Sequence, residues 1–297
     1  METRFSRLIG IAVFKCLSLP TIPTMETLTY PLTQTQLSDY QTQGYFAIPD
    51  FFDAREVTAM VAELERFKRE GLGRNVATDG DGTSHSRTKI NYQIIPLNDK
   101  STLLRALPFA DKVRSVISQL IGDPFVRYLD QIFLKPAQSG AGTQWHVDNA
   151  YFKISDPTKG IGMWIALHDA TVHNGTMHMI PGVFRESFSH ERDLTSDHHI
   201  TMRTDESRAV AVEMPAGGAL FFNYGVPHCT KANLSDKERA GLAFHFLRTD
   251  FVPDRVGFGP RKEIIHVTGP EASGGLNEYA TPIAGTWDSE VAALQAK

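Results

Sequence analysis

The sequence predicts a mainly β fold with flanking helices, and three observations lead there. Its 297 residues, 41% of them hydrophobic, supply enough material for one large core. Helical periodicity is confined to the first 120 or so residues. From Phe125 the character changes to short apolar or alternating runs: "FVRYLDQIFLKP", "TQWHVD", "IGMWIALHDA", "TMHMIP", "AVAVEM", "GALFFNYG" and "RAGLAFHFL". Gly, Pro, Asn and Asp separate them, and many short strands of this kind indicate a sandwich or barrel. The expected β core runs from about residue 125 to 250, within a single domain over 25–297.

The elements follow in order. Residues 1–24 stand apart. "LIGIAVFKCLSL" is apolar but short, interrupted by Lys15 and preceded by Arg4 and Arg7. It is too short to span a bilayer, and it reads as an extension before Met25 or as a targeting segment. "LTQTQLSDYQTQGYFAIPDFF" reads as a short helix running into a strand, Tyr45 to Ile48. Asp53 then caps a helix with Val57, Met60, Val61, Leu64 and Phe67 on one face, stopped by Gly71 and Gly73. Residues 74–88 are polar and turn-rich, hence a loop. A further helix is expected from Phe109 to Leu120, before Gly122 and Pro124. The tail from Phe251 is Gly/Pro-rich and gives weak signals.

Bulk properties exclude several functions. A net charge of −4 with interspersed signs leaves no nucleic-acid footprint. Two cysteines, Cys16 and Cys229, rule out a disulfide framework and favour a reducing, cytoplasmic setting. No membrane role is expected, and oligomeric state is not readable.

The first chemical signal is "TQWHVDNAYF". His146 and Asp148 lie two apart, the strand repeat, so on a strand both side chains would share one face and Val147 the other. This is either a polar strand face or half of a metal site. A third donor comes from "GVPHCTKANLSDKERAGLAFHF", where His228 follows His146 by 82 residues. In a jelly roll, strands that far apart can face each other. His146, Asp148 and His228 would then make two imidazoles and one carboxylate on one side of a metal, the facial triad of non-haem Fe(II) oxygenases.

The same segment suggests an anion grip. If it folds as a hairpin centred near Leu234 and Ser235, Thr230 faces Arg239 and His228 faces Gly241. A hydroxyl and a guanidinium would converge one step from a metal ligand, and Gly241 would leave space beside the metal. Arg grips carboxylates bidentately and Thr adds one hydrogen bond. The alternative is a surface pair of Arg239 with Asp236 or Glu238.

At this point the run from about Pro31 to Leu247 resembles the phytanoyl-CoA dioxygenase (PhyH-like) family of Fe(II)- and 2-oxoglutarate-dependent oxygenases. The carrying features are "HVD" at 146–148, "HNGTMHMIPG" at 173–182, and His228 with Thr230 two and Arg239 eleven residues later. The resemblance implies a double-stranded β-helix (jelly-roll, cupin-like) core. It implies Fe(II) on His146, Asp148 and His228, and the distal carboxylate of 2-oxoglutarate on Arg239 with Thr230. It places Gln131 and Trp164 in the co-substrate pocket; otherwise Gln131 would be a solvent-facing sheet residue and Trp164 ordinary core. It implies an O2-dependent oxidation of a small-molecule or acyl C–H, with release of succinate and CO2. The retained carboxylate of Asp148 favours hydroxylation over halogenation. One departure is Pro181-Gly182-Val183-Phe184, where the family usually continues "PGSH".

Other histidines are expected to stand aside. His168, His173 and His178 recur every five residues, which is neither period. His198 and His199 lie in a charged segment read as a solvent-facing loop or a lid. His245 shares parity with Arg239 but lies roughly 20 Å along the strand. Cys229 alternates with His228 and should point into packing. Residues 83–95, Asn149, Tyr151 and 185–208 are candidates for substrate contact. Two rival functions remain. A zinc hydrolase would use the triad but needs a general base, and no H-E-x-x-H helix is present. A non-catalytic jelly-roll binding protein would have no need for triad and Arg239 together.

Overall fold

The computed structural model describes residues 29–253 and 264–296; the expected leader lies outside the described residues. The chain opens with α1 (Gln34–Gln43), whose first turn is closed by a capping box between Thr33 and Gln36. It leads into β1 (Tyr45–Ile48) and then α2 (Ala54–Arg69). Asp53 caps α2 reciprocally with Glu56, and Met60, Leu64 and Phe67 are buried at helical spacing. Next come β2 (Arg74–Asn75), β3 (Tyr92–Ile94), α3 (Thr102–Ala106) and α4 (Asp111–Ile121). The β core follows with β4 (Phe125–Lys135), β5 (Thr143–His146), the single turn α5 (Asn149–Phe152), β6 (Gly160–Ala166) and β7 (Met177–Met179). It continues with β8 (Glu191–Arg192), β9 (Ile200–Thr201), β10 (Val210–Val212), β11 (Ala219–Asn223), β12 (His228–Thr230) and β13 (Arg239–Arg248). The chain closes with β14 (Ile265–His266), α6 (Leu276–Tyr279) and α7 (Trp287–Gln295).

Two antiparallel sheets face each other. The larger runs β1-β11-β6-β13-β4-β3-β2, with β14 also on β4; the smaller runs β10-β7-β12-β5. Alternation gives the larger sheet two different faces. Ile132, Leu134, Met163, Ile165, Phe221, Leu242 and Phe244 join Leu64, Phe67, Leu104 and Val116 in the main core, so the helices cover this outer face. Trp164, Leu220 and Phe222 meet Met177, Met179 and Val212 of the smaller sheet, so the other face looks inward. This is the expected mainly β jelly roll with flanking helices.

The expected hairpin is not there. β12 pairs with β5 and β7, whereas β13 pairs with β4 and β6, so His228 and Arg239 lie on opposite sheets. The connecting turn crosses between the sheets because Asn233 ties it down. Its side-chain amide donates to the carbonyls of Lys135, Pro136 and Lys237, and its N–H donates to Gly140 O. Gly241 also serves a different purpose. A Cβ there would meet Trp164 Nε1 at 2.2 Å, so the glycine makes room for an indole rather than a metal.

The weakly patterned tail contains a helix the sequence did not announce. Trp287 at the start of α7 packs on Phe52 and donates to Glu56 Oε1 at 2.6 Å, closing the helical layer.

Candidate metal centre and anion pocket

His146 ends β5 and His228 opens β12, and the two are directly paired across the ladder. Cross-strand pairing brings their rings to 4.3 Å between centroids. Each ring is oriented by a backbone carbonyl two residues before it: His146 Nδ1 on Gln144 O at 2.8 Å, His228 Nδ1 on Val226 O at 2.9 Å. With Nδ1 carrying the proton, each Nε2 presents a lone pair, the arrangement a metal-binding imidazole needs.

Asp148 arrives differently from the expected strand alternation. β5 ends at His146, and Asp148 adopts helical dihedrals at the head of α5. The turn swings its carboxylate back, so that Oδ1 lies 3.8 Å from His146 Nε2 and 3.7 Å from His228 Nε2. All three side chains are buried, and their donor atoms fall within 4.8 Å of one another. These separations are too long for hydrogen bonds, so the three groups surround a gap instead of bonding to each other. Burial lowers the pKa of both histidines to about 4, and the neighbouring His228 ring depresses that of His146 further. Both are neutral at pH 7, the protonation state a ligand requires.

Asp148 Oδ2 is buried with no hydrogen-bond partner, as is His245 Nδ1, and the two atoms lie 3.7 Å apart. His245 therefore sits behind the carboxylate, wedged against Phe152 and Tyr224. The distance along β13 from Arg239 does not keep His245 from the triad, because α5 carries Asp148 over the middle of that strand.

A second cluster lies at the other end of the inward face. Arg239 and Lys135 are paired on β13 and β4, each only 1% exposed. Arg239 donates to Gly175 O and lies over the Trp164 ring, 5.5 Å from its centroid. Gly175 belongs to the "NG" turn of residues 173–182. Its φ of +78° and a would-be Cβ 2.2 Å from Lys231 O both require glycine. Lys135 Nζ donates to Thr230 Oγ1 at 2.7 Å and to Lys231 O. Among the described residues, neither cation has a carboxylate within ion-pair distance, and Arg239 Nε is buried without a partner. Burial lowers the pKa of Arg239 to about 10 and that of Lys135 well below its usual range, where Arg239 adds repulsion. Gln131, on the same face of β4, accepts from Gln93 Nε2 at 2.8 Å. Arg239, Thr230 and Trp164 are thus brought together, with Gln131 two strand repeats from Lys135.

The segment expected as a solvent-facing loop packs inward. His199 is buried against Phe133, 5.8 Å between ring centroids. Ile200 N–H donates to Tyr151 Oη, Met202 N–H to Trp145 O, and Val147 N–H to His190 Nε2. Asp197 pairs with Arg74 and lies 3.1 Å from His85. His168 receives Ala240 N–H, His173 is exposed on its turn and His178 is half-buried on β7, so these three stay away from the centre. Cys229 is a free, buried thiol among Trp145, Val147 and Ile180, with burial pushing its pKa up to about 12. Where the usual "PGSH" is replaced, Val183 and Phe184 are buried, Phe184 in the core between the sheets.

The phytanoyl-CoA dioxygenase (PhyH) family model matches residues 40–241, most of the chain. The chain belongs to the phytanoyl-CoA dioxygenase family. It is similar to an ectoine dioxygenase of Bordetella bronchiseptica, 21% identical over 257 residues that cover 79% of this chain and 82% of that protein. It is also similar to phytanoyl-CoA dioxygenase of Arabidopsis thaliana, 24% identical over 265 residues, 75% of this chain and 91% of that one. Its fold matches the crystal structure of EctD from S. alaskensis with 2-oxoglutarate and 5-hydroxyectoine, with a TM-score of 0.61 at 19% identity, covering 82% of this chain and 86% of that one. A similar match is the non-haem α-ketoglutarate-dependent carbocyclase SnoK from nogalamycin biosynthesis, with a TM-score of 0.61 at 21% identity, covering 84% and 92%. As a PhyH-family member the chain is a non-haem iron, 2-oxoglutarate-dependent dioxygenase acting on a small molecule. Two imidazoles and one carboxylate around a gap suit such an iron, and a buried guanidinium with its Nε unbonded suits the co-substrate's carboxylate.

Sequence reasoning missed Lys135 and set His245 aside; Gln93 falls in the 83–95 stretch expected to contact substrate, and it bonds Gln131. Lys135 had a signal: it shares the period-2 face of Gln131 and Phe133. His245 had none, because its neighbour Asp148 comes from a turn 97 positions away (245 − 148).

Proposed function

We propose that His146, Asp148 and His228 hold Fe(II), and that 2-oxoglutarate lies between the sheets with its distal carboxylate on Arg239 and Thr230. The observation carrying this reading is the convergence of two carbonyl-oriented Nε2 atoms and one Asp148 oxygen around a gap, with a buried guanidinium on the facing sheet whose Nε has no partner. When bound, the iron and 2-oxoglutarate supply the oxidising chemistry, consuming O2 and releasing succinate and CO2.

The chain supplies the rest. Gln144 O and Val226 O hold the imidazoles in one tautomer and plane. Trp164 gives the guanidinium of Arg239 a flat surface, and Gly175 O holds one of its ends, which leaves Nε for an anion. Gln131, fixed by Gln93, lines the same face. Tyr151 and the segment around His199 cover the centre and limit access of water, so residues 185–208 are the substrate-side wall. The retained carboxylate of Asp148 fills the position a halide would need, and the reaction is a hydroxylation or related C–H oxidation of a small molecule. A cytoplasmic setting fits the chain's two cysteines, of which Cys229 is a buried free thiol.

The test is an anaerobic visible spectrum of the apoprotein with Fe(II) and then 2-oxoglutarate. A weak charge-transfer band that needs both additions is expected. His146→Ala and Asp148→Ala should lose the band and the conversion of 2-oxoglutarate to succinate. Full turnover in either variant would refute the triad. A zinc hydrolase would retain zinc on purification and give no band.

A further inference from the structure

We propose that His245 is a positioning residue for the metal centre: its Nδ1–H engages the outer oxygen of Asp148, so that the carboxylate holds the metal through Oδ1 alone. The proposal rests on the metal placement described above.

The first observation is an asymmetry at Asp148. Oδ1 lies between the two ligand imidazoles, 3.8 Å from His146 Nε2 and 3.7 Å from His228 Nε2. Oδ2 faces His245, 3.7 Å from its Nδ1. Among the described residues neither Oδ2 nor His245 Nδ1 has a hydrogen-bond partner, although both atoms are buried. A carboxylate oxygen can only accept. A bare nitrogen lone pair aimed at it would repel it, so the nitrogen that faces it carries the hydrogen. The two atoms therefore complement each other, a donor and an acceptor that are both otherwise unsatisfied. At 3.7 Å the bond is still open, and a small turn of the carboxylate closes it.

The second observation is how the fold aims this ring. The ladder between β13 and β4 shifts register between His245 and Phe246, where Tyr128 is the extra residue on β4. Bulges of this kind re-aim side chains. The imidazole is clamped between rings, 5.1 Å from Phe152 and 5.7 Å from Tyr224. Phe152 in turn packs on Tyr128 at 5.3 Å and on Tyr224 at 4.5 Å. Phe152 ends α5, the turn that Asp148 opens. One aromatic socket thus holds both the turn and the imidazole, and packing fixes the distance between carboxylate and ring. Filling this socket does not require a histidine, because a phenylalanine would fill it without a buried, unbonded N–H.

The third step is chemical. A carboxylate holds a cation through one oxygen or through both. Held through both, Asp148 would take one more of the positions that the co-substrate and O2 need. A hydrogen bond to Oδ2 engages the second oxygen and keeps that position free. Partners of this kind orient the ligand and strengthen metal binding.

The experiment uses the full-length protein and two variants that separate packing from hydrogen bonding. His245→Phe fills the socket without a donor. His245→Asn keeps a donor where Nδ1 stands but leaves part of the socket empty. Two quantities are measured anaerobically: Tm of the metal-free protein, and Kd for Fe(II) from chelator competition. His245→Phe should keep the metal-free Tm at or above wild type and raise Kd by at least about tenfold. His245→Asn should lower the metal-free Tm, through the space it leaves, and keep Kd within about threefold of wild type. A packing role alone predicts the reverse order, with His245→Asn the weaker binder, and that result overturns the proposal. An unchanged Kd in His245→Phe overturns it as well. His245→Gln, whose amide reaches the place of Nε2 instead, should bind Fe(II) as weakly as His245→Phe, and it carries the test if the phenylalanine variant does not fold. With 2-oxoglutarate added, the maximum of the charge-transfer band should move in His245→Phe and stay in His245→Asn; an unmoved maximum in His245→Phe refutes binding through one oxygen. His146→Ala separates the levels. If it abolishes Fe(II) retention while His245→Phe keeps it, only the role of His245 fails. If His146→Ala retains Fe(II) too, the metal placement fails.

Discussion

Gly175→Ala compared with Gly71→Ala measures how tightly the "NG" turn closes on the anion pocket. Both glycines have left-handed backbones, φ +78° and +67°. A Cβ at either incurs the left-handed penalty of about 1–2 kcal/mol, and both gain the same small benefit from a stiffer unfolded chain. Their surroundings differ. At Gly71 nothing lies within 4 Å of the added carbon. At Gly175 it meets Lys231 O at 2.2 Å, Ala232 O at 2.8 Å and Lys231 C at 2.9 Å, all backbone. Backbone cannot rotate aside, so overpacking adds about 1–3 kcal/mol. The expected net losses are about 1 kcal/mol for Gly71→Ala and about 2–4 kcal/mol for Gly175→Ala, since overpacking adds to the backbone cost only at the second site. Urea unfolding at constant m-value measures both. Because the Gly175 carbonyl holds Arg239, its variant should also weaken 2-oxoglutarate binding, while Gly71→Ala should leave it unchanged. Equal losses of stability in the two variants would refute the close packing of this turn.

Other expectations follow from the same structure. His146 and His228 have folded-state pKa values of about 4 against an ordinary 6.5, so the unfolded chain binds more protons between those values. The Tm of the metal-free protein should therefore be insensitive to these residues above about pH 6.5 and fall as pH drops toward 4. The fall should be shallower in a His146→Gln, His228→Gln double variant, and an equally steep one would show that other groups cause it. His245→Phe removes the polar ring behind Asp148 Oδ2 and should weaken Fe(II) retention by about tenfold in a chelator competition; unchanged retention would make His245 a packing residue only. Glu56 caps α2, receives Lys112 Nζ at 2.6 Å and holds Trp287 at 2.6 Å. Glu56→Ala should cost about 1–3 kcal/mol in urea unfolding, since it leaves the buried Trp287 indole N–H unsatisfied and removes the cap, without changing 2-oxoglutarate affinity.

Residues whose chemistry is local were legible in the sequence, and those set by long-range register were not. Asp53, Gly71 and the run from Val57 to Phe67 announced α2 because caps and helical spacing are properties of neighbours. His146, Asp148 and His228 could be picked out because few chemistries need that donor set. The route by which they meet was misread. Asp148 reaches the histidines from a turn, and Arg239 lies on the sheet facing Thr230, where it bonds Gly175 O. A sequence shows that a segment such as "NLSDKE" turns; it does not show whether the strands on either side then pair. That choice is made by Asn233, whose amide binds three carbonyls, two of them near 135, a contact with no local signature. Lys135 was overlooked for the same reason, since a lysine in "FLKP" looks like the exposed end of a strand until Thr230 is placed against it.

The division of labour between the sheets has a thermodynamic consequence. The histidines and Thr230 belong to the smaller sheet; Arg239, Lys135, Trp164 and Gln131 belong to the larger. A co-substrate that touches both bridges them, and its binding energy is available to hold the sheets together. Without it, two buried cations repel across one ladder. The anion pocket is therefore a source of instability in the empty protein and of cohesion in the loaded one. 2-Oxoglutarate should accordingly raise Tm more than 2-oxopentanoate does at equal occupancy, and removing one cation with Lys135→Met should narrow that difference. With 2-oxoglutarate seated as proposed, the two sheets would be coupled through the ligand as well as through Asn233, and the pair of charges that opposes folding would favour a dicarboxylate.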